Sequence, residues 1–538
     1  MHVLRRPTTM NASRRNGLGG GSSRLIGLLA LAAVAISGAA RAESTLVLAV
    51  RGTSIVNPAL GSGLAVGAPG AQVFAGLIKL DDHFVPQPYV AESWDVAPDG
   101  LSYTFHLRPG VKFHDGSSLT SADVAFSVDI VRANHPFGHP MFDPVDRVET
   151  PDPLTARFIL KQPHPALLAS LTTLLMPILP KSVYSKGPIR ANPANSLAIG
   201  AGPFKIAEFK AGQSITLVRN PDFFLPGRPK TDRIIMRIFE DSQAARLSLE
   251  NGETDAALHA GFGYADFARL KANPKLQVFT DSFDGLGITA FLEFNLRKAP
   301  FSDLRVRQAI AHTLDRKFFV DKFQAGLTQQ LEGPLPPDSP FYSKDLVRYP
   351  YDLKEANRIL DDAGYKPDAN GIRFSATMDA PPFSPDGLGR VADYLKPQLR
   401  KIGIQIDRRV SPDDATYTKR VANFEFDLAM SQIYNYPDPV IGTHRLFLCK
   451  NQIKGVMYTN TAGYCNEAVD KLLDQASKEM DAPKRKALYA QFQKILTEDI
   501  PYLYTTTEQP FGVAQKNIVG RPKTVLGMMA PLWDIEKK

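Results

Sequence analysis

One stretch near the middle of the chain, residues 290–323, changes from the hydrophobic pattern of a strand to that of a helix. Residues 291–296 alternate apolar and polar side chains with a period of two, which predicts a strand with one buried face. From Leu304 onward the apolar residues return at roughly helical spacing, which predicts one amphipathic helix that continues to Phe318. Ser302 is predicted to cap its first turn with a side-chain oxygen. A strand that leads into a capped helix is typical of an α/β layer.

The rest of the chain repeats this alternation of strands and helices. Segment 44–50 is apolar and predicts a strand, which ends at Gly52 before a glycine-rich loop. Segment 424–430 predicts another buried strand, followed at 431–439 by a loop with tyrosines and prolines. Cap residues predict further helices after Thr120, Asp352, Asn466 and Asp481. Together these patterns predict an α/β protein with parallel strands.

Length and charge narrow the class of protein. A chain of 538 residues is too long for one ordinary core, so two or three domains are expected. The net charge of +8 is concentrated at the N-terminus, because residues 1–42 hold six arginines and no acidic residue. The rest of the chain has 57 basic and 55 acidic residues, a net charge of +2. We therefore expect no nucleic-acid partner.

The N-terminus has the three parts of a secretory signal peptide. Arginines precede an apolar run at 25–36, and Ala40-Arg41-Ala42 matches a cleavage site after Ala42. The apolar run is shorter than the roughly 18 residues of a transmembrane anchor, which is the competing interpretation. Ser13-Arg14-Arg15 faintly resembles a twin-arginine signal but lacks its usual phenylalanine, so the Sec route is favoured. We expect residues 1–42 to be removed and the protein to be periplasmic.

Two cysteines, Cys449 and Cys465, both belong to the exported part of the chain. In an oxidising compartment an even pair predicts a disulfide, and two buried free thiols are the alternative. Two sulfurs without a nearby histidine pair are too few for a zinc site, so we expect no metal site and no cofactor.

Several sequence blocks resemble one known family, the extracytoplasmic solute-binding proteins of family 5, which are the dipeptide, oligopeptide and nickel-type receptors of ABC importers. The blocks are Asn295 with Pro300-Phe301, Asp303, Arg305-Val-Arg307-Gln-Ala-Ile310 and Asp315-Arg316; Ala91-Glu-Ser-Trp94; Asp99-Gly100; Lys112-Phe-His-Asp-Gly116; Thr120-Ser-Ala-Asp-Val124; and Gly200-Ala-Gly-Pro-Phe-Lys205.

The resemblance implies an α/β fold of the two-lobed periplasmic binding protein type (type II, similar to cluster C), with an additional small α+β subdomain. The implied division is a signal peptide at 1–42, lobe I at 43–88, 200–292 and 508–538, a small extra domain at 89–199, and lobe II at 293–507. It also implies a monomer that captures a solute, which is a peptide or a small molecule, by hinge closure. The closed form would then deliver the solute to the permease subunits of an ABC importer in the inner membrane.

Ligands of open α/β sheets bind at the carboxyl ends of the strands, which directs attention to the two strand ends found above. Tyr434 and Tyr436 offer flat apolar contact with a hydroxyl group, and Asn435 offers both a donor and an acceptor. The alternative is an aromatic turn stabilised by Pro437 and Pro439. The predicted ligand-binding residues are Gly52, Thr53, Ser54, Phe383, Gln432, Tyr434, Asn435, Tyr436 and Asp438.

Two departures from the family pattern leave the solute open. Peptide receptors of the family carry an aspartate that pairs with the peptide ammonium group, and Asn435 stands at that position, with Asp438 three residues on. Dipeptide receptors bind the carboxylate with an arginine in the segment matching 380–384, where this chain has none. A blocked or longer peptide, an opine, a sugar conjugate and a nickel–chelate all remain possible.

The sequence contains none of the common catalytic motifs: it lacks a nucleophile elbow, a zinc-protease histidine pair, a phosphate-binding loop and a dinucleotide-binding fingerprint. We therefore expect no catalytic residues and no enzymatic activity. An exported hydrolase and an envelope chaperone are the alternatives from other functional classes.

Overall fold

The structure is a computed structural model that describes residues 43–52, 55–259, 261–281, 284–382 and 384–538. The predicted signal peptide and the predicted binding residues Thr53, Ser54 and Phe383 lie outside the described residues. The strands are β1 (Thr45–Arg51), β2 (Ile78–Leu80), β3 (Pro86–Pro88), β4 (Ala91–Val96), β5 (Ser102–Leu107), β6 (Val145–Asp152), β7 (Thr155–Leu160), β8 (Phe204–Lys210), β9 (Ser214–Arg219), β10 (Arg233–Phe239), β11 (Ala256–His259), β12 (Leu276–Phe279), β13 (Ile288–Phe294), β14 (Phe374–Ala380), β15 (Ile404–Val410), β16 (Leu428–Tyr434), β17 (Tyr502–Thr507), β18 (Gly512–Gln515), β19 (Ile518–Val519) and β20 (Glu536–Lys537). The helices are α1 (Leu64–Val73), α2 (Ser121–Asn134), α3 (Gly138–Phe142), α4 (Leu167–Ser170), α5 (Lys181–Tyr184), α6 (Ser242–Glu250), α7 (Tyr264–Ala272), α8 (Leu304–Ala311), α9 (Arg316–Phe323), α10 (Leu353–Asp362), α11 (Arg390–Arg400), α12 (Asp414–Ala422), α13 (Pro439–Gly442), α14 (Glu467–Ala476) and α15 (Ala482–Asp499).

Two large mixed sheets organise the fold. The first has seven strands in the order β12-β18-β11-β1-β10-β9-β8, and the second has five in the order β15-β14-β16-β13-β17. A separate four-stranded antiparallel sheet, β4-β5-β7-β6, packs with α2 into the same hydrophobic core as the first large sheet. The predicted two-lobed α/β fold with a small α+β subdomain is confirmed.

Strand β1 lies between β10 and β11 and is parallel to both. Parallel strands are covered on both faces, which explains why its sequence is almost continuously apolar. Leu48 and Ala49 are fully buried although they point to opposite faces of the sheet. The carboxyl ends of β1, β10 and β11 therefore lie together at one edge of the first sheet.

The middle stretch forms strand β13 as predicted, but the predicted single helix is wrong in two respects. The N-cap is Asp303, whose side chain accepts from the Arg305 amide, so the neighbouring Ser302 is not the cap. The helix also ends at Ala311, and Asp315 caps a second helix, α9, by accepting from the Phe318 amide. Each aspartate side chain accepts a hydrogen bond from a backbone amide and so begins a new helix. The spacing of the apolar residues alone does not indicate this division into two helices.

The predicted strand at 424–430 is displaced along the chain. Phe424 has a φ of 65°, a left-handed conformation that a strand does not contain, and β16 runs from Leu428 to Tyr434. Gln432 and Tyr434 are therefore part of a strand end. The loop that follows begins at Asn435.

Three further predictions concern the disulfide, membrane-spanning segments and the domain boundaries. The disulfide between Cys449 and Cys465 is confirmed, with an S–S distance of 2.11 Å. Within the described ranges, the helices are all too short or too polar to cross a membrane. The predicted domain boundaries stay a prediction; the one at residue 292 falls inside β13, which pairs along its length with β16.

Candidate functional site

Several strands of the second sheet end at the same edge. β14, β15 and β16 are parallel to one another, whereas β13 runs antiparallel to both β16 and β17. The carboxyl ends of β14, β16 and β17 therefore lie at the same edge, next to the beginning of β13. Ile288, the first residue of β13, pairs with Tyr434 on one side, and its carbonyl accepts from the amide of Glu508 on the other at 2.9 Å.

The chain passes between the two large sheets at this edge. Residues 284–287 precede β13, and residues 508–511 connect β17 of the second sheet to β18 of the first. The two crossings are tied to their surroundings by backbone hydrogen bonds, among them Gly285 N to Val525 O at 2.8 Å. Two adjacent crossings are the arrangement expected of a hinge between two lobes.

Tyr434 and Tyr436 project from the end of β16 toward the first lobe. A Cβ added at Gly63, the residue before α1, would lie 3.1 Å from Cε2 of Tyr434. The Tyr436 ring meets the Phe137 ring of the small subdomain edge to face, with centroids 5.1 Å apart. Burial raises the pKa of both phenols, that of Tyr436 to about 12, so both stay neutral at physiological pH. We call the junction at which these groups face each other, formed by Gly63, Gln432, Tyr434, Tyr436 and Glu508, the cleft.

Asn435 is buried and its side-chain amide is already occupied. Its Nδ2 donates to the carbonyl of Gly287 at 2.7 Å and to that of Pro334 at 3.2 Å. Its Oδ1 accepts from Oγ1 of Thr443 at 2.5 Å. The residue thus connects the loop after β16 to the first crossing segment.

Asp438 is also buried and has a strong partner. Both of its oxygens accept from the Arg485 guanidinium, at 2.6 and 2.8 Å, and Oδ1 also accepts from the Val440 amide at 3.0 Å, which caps α13. Burial alone would raise the pKa of this carboxyl, but the Arg485 charge and hydrogen bonds lower it below its usual value. Bidentate pairing of this kind fixes both geometry and charge.

Glu508 differs from Asp438 because none of the salt bridges among the described residues involves it. The side-chain amide of Gln432, in the orientation that satisfies its contacts, donates to both carboxylate oxygens of Glu508 at 3.2 Å. Removal from water raises the pKa of Glu508 to about 7. The residue is nevertheless partly accessible to solvent.

The first sheet contributes its own strand ends. Gly52 follows β1, and a Cβ added there would lie 3.9 Å from both carboxylate oxygens of Glu240, which follows β10. The Arg51 guanidinium packs against Gly261, where an added Cβ would meet Nη1 at 2.9 Å. Gly52 is thus at a strand edge as predicted, whereas the structure does not describe its neighbours Thr53 and Ser54.

One group of possible metal ligands occurs in the described part of the chain. Asp81, Asp82 and His83 place one ligand atom each within 4.8 Å of one another in the turn between β2 and β3. Their side chains are largely exposed, and they are remote in sequence from the strand ends that line the cleft.

Sequence reasoning missed Gly63, Phe137 and Glu508. Gly63 and Phe137 carry no pattern that distinguishes them from other turn and core residues. Glu508 could have been found, because it directly follows a buried strand in the same way that Asn435 follows β16. The threonine-rich end of β17 gave too weak a strand pattern for this comparison.

Comparison with known proteins decides the family. The profile of the bacterial extracellular solute-binding proteins, family 5, matches residues 85–454. This chain belongs to that family. Proteins with a similar sequence include heme-binding protein A of Haemophilus influenzae, 28% identical over 499 residues, which cover 86% of this chain and 87% of the relative. Di/tripeptide-binding protein 2 of Pseudomonas aeruginosa is 30% identical over 458 residues, which cover 80% and 83% of the two chains.

A solved structure agrees with this assignment to family 5. NikZ from Campylobacter jejuni, crystallised with Ni(L-His), superposes with a TM-score of 0.81 at 25% identity, and the match covers 92% of this chain and 99% of NikZ. The predicted family and function class are confirmed: this family 5 protein is an extracytoplasmic substrate-binding component of an ABC transporter.

Proposed function

We propose that this protein traps a peptide or peptide-like solute between its two lobes and delivers it, unaltered, to a membrane permease. The observation that carries the proposal is the convergence of strand ends at the cleft. The rings of Tyr434, at the end of β16, and Tyr436, in the loop that follows, face Gly63 and Phe137, and the polar side chains of Gln432 and Glu508 meet at the same strand ends. A mostly apolar cleft with a few fixed polar groups is typical of a site for a small ligand.

The mechanism follows from where the crossings lie. Because residues 284–287 and 508–511 are adjacent, rotation about them would open or close the cleft with little change inside either lobe. A solute that contacts both lobes binds the closed form more tightly than the open form, and it shifts the population toward closure. The permease then recognises the closed form.

The predicted binding residues divide by geometry. Gln432, Tyr434 and Tyr436 would contact the solute, with Gly52 at the opposite strand edge. Asn435 and Asp438 would support the site instead, because their polar atoms are engaged by Gly287, Thr443 and Arg485. The binding roles of Thr53, Ser54 and Phe383 stay predictions.

A non-peptide solute is the second candidate. The solved structure NikZ holds Ni(L-His), and the name of the Haemophilus relative is that of a heme-binding protein. An opine, a sugar conjugate or a nickel–chelate would fit the same two-lobed capture. The amide of Asn435 in place of the carboxylate of peptide receptors is consistent with such a solute.

The proposal also includes where the protein is located and that it acts as a monomer. A signal peptide at 1–42 would export the protein to the periplasm, by the Sec route more readily than by the twin-arginine route. The protein would act as a monomer beside its permease. It would have no enzymatic activity, as expected for a member of a family of solute-binding proteins.

Native mass spectrometry of the exported protein tests the proposal. The expected result is a bound small molecule that is recovered chemically intact and that raises the melting temperature when it is added back to the stripped protein. A thermal-shift panel of peptides, opines, sugar conjugates and nickel–histidine then ranks the solute classes. Turnover of a bound compound, or protection of unfolded proteins without binding of any small solute, would overturn it.

A further inference from the structure

One carboxylate at the cleft has no cation to balance it among the residues that the structure describes. Glu508 follows the carboxyl end of β17, directly across Ile288 from Tyr434. Burying a carboxylate without a cation costs free energy, and proteins rarely keep such a group unless it has a task.

Three segments converge on this carboxylate. Gln432 of β16 donates to both of its oxygens at 3.2 Å. A Cβ added at Gly387, between β14 and α11, would lie 2.8 Å from Oε1 of Glu508 and 2.6 Å from Oγ of Ser384. Gln509 donates its amide to the Tyr264 hydroxyl at 3.2 Å, which ties the crossing segment to α7 of the first lobe.

Among the described residues, the groups that face Glu508 from these elements are neutral. Tyr264 and Tyr434 are the titratable neighbours, and burial together with the nearby Glu508 charge raises the pKa of each phenol. Ser384, Gly387 and Gln432 carry no charge. Arg390 begins α11 just beyond this segment and has other contacts, and it forms no salt bridge with Glu508.

We propose that Glu508 is the anionic subsite of the cleft and binds a protonated amine or guanidinium group of the solute. The proposal rests on the proposed function and adds the chemical class of the solute: a compound with an organic cation. Gln432 holds the carboxylate in position, and the lack of a Cβ at Gly387 lets the carboxylate lie close to that backbone. The Tyr434 ring lies on the other side of Ile288, where it can cover a cation with its face.

This subsite accounts for the substitution at Asn435. A solute amine needs a carboxylate partner in an enclosed site, and the amide of Asn435 is occupied by Gly287, Pro334 and Thr443. Glu508 supplies the negative charge from another strand end, on the opposite side of β13. The cation would accordingly be displaced toward the second crossing, so solutes shaped differently from a dipeptide would be accepted.

Binding of a cation also links the site to pH. The raised pKa of Glu508, about 7, means that the carboxyl group is partly protonated in the empty protein at neutral pH. A bound cation favours the ionised form, so binding releases a proton and weakens as the pH falls. Between pH 8 and pH 6 the affinity for a guanidinium probe, which stays protonated throughout, should fall by roughly 10-fold, the change in the ionised fraction of a group with this pKa. For a peptide α-amino group, which is itself only about half protonated at pH 8, the fall should be about half as large.

The test uses the stripped protein and two matched probe mixtures, tripeptides with free amino termini and the same tripeptides N-acetylated. Binding is read by competitive native mass spectrometry and by titration calorimetry in two buffers that differ in ionisation enthalpy. The expected result is enrichment of free-amine peptides, proton release on binding, and a roughly 100-fold loss of their affinity in Glu508→Gln. Glu253→Gln, which removes a charge from an exposed site outside the cleft, is the matched control and should behave as wild type.

Other results separate failure of this proposal from failure of the proposed function. Equal or preferred binding of acetylated peptides, sugars or dicarboxylate opines would overturn the cation subsite and leave solute capture intact. Failure of every probe class to bind would overturn both. Wild-type affinity for free-amine peptides in a Glu508→Gln protein that melts normally would overturn the role of Glu508 alone.

Discussion

Asp438 is a buried carboxylate and Glu508 a partly exposed one, and both lie near the same edge of the second sheet in opposite surroundings. Asp438 is held by both arms of Arg485 and by the α13 amide, and its pKa is lowered. Among the described residues, the donor to the Glu508 carboxylate is the neutral amide of Gln432, and the pKa of Glu508 is raised. Asp438 is paired with a cation of the protein itself, whereas Glu508 has no partner of opposite charge among the described residues.

The difference teaches how a binding site can be recognised inside a folded protein. A polar group whose bonds are all made within the chain stabilises the structure and has nothing left for a ligand. A charged group held in place by neutral donors is stabilised further when a ligand brings the opposite charge. By this criterion Asn435 and Asp438 support the site, and Glu508 belongs to its binding surface.

The largest expected effect comes from breaking the ion pair between Arg485 and Asp438. Arg485→Met leaves Asp438 buried and unpaired, so the free energy of unfolding should fall by about 3–5 kcal/mol, as measured by urea denaturation. The double variant Arg485→Met/Asp438→Asn should recover part of this loss, because no charge then remains buried. Arg358→Met, which removes two surface ion pairs on α10, is the control and should change little. A small effect of Arg485→Met would contradict the assignment of Asp438 as structural.

A smaller effect is expected where an amide is changed to an acid. Asn435→Asp replaces the donor to Gly287 and Pro334 by an acceptor, so about 2 kcal/mol of stability should be lost. Asn370→Asp on an exposed turn is the matched control. If Asn435→Asp instead gained affinity for free-amine peptides at wild-type stability, Asn435 would itself be the cation position, and the contrast drawn above would be wrong.

The smallest expected effect is a change in the pH dependence of stability. Glu508 and the buried Glu293 have folded-state pKa values raised by desolvation to about 7 and about 8, above the ordinary value of 4.5. These two groups therefore hold more protons in the folded protein than in the unfolded chain between pH 4.5 and 8, and their contribution to the free energy of unfolding falls as the pH rises through this window. Four histidines whose pKa values are lowered by desolvation contribute in the opposite direction below pH 6.5: His114, His135, His164 and His444. The prediction is therefore a difference from wild type: when urea denaturation is repeated from pH 5 to pH 8, Glu508→Gln should lose the falling contribution of Glu508. Glu253→Gln should keep the wild-type slope, and an equal slope in Glu508→Gln would show that Glu508 is not desolvated.

The sequence predicted the fold class and one strand end of the site, because both depend on local patterns and family motifs. It placed Tyr434 and Tyr436 correctly near a strand end but displaced the strand, since Phe424 is apolar yet adopts a left-handed backbone. It could not show that Asn435 is occupied, because the partners at Gly287 and Pro334 are more than 100 residues away.

The sequence did not indicate a role for Glu508 for the same reason. Its importance comes from the pairing of β13 with both β16 and β17, which brings residues 434 and 508 to either side of Ile288. Pairing between distant strands is set by tertiary structure, and no local pattern in the sequence reports it.

A crystal structure of the protein with the solute that co-purifies from its own host tests the account most directly. The account predicts an intact solute enclosed between the two large sheets, with a basic nitrogen about 3 Å from a carboxylate oxygen of Glu508. A solute bound outside the cleft, or one that places no cation at Glu508 while it contacts Asn435 or Asp438 instead, would contradict it.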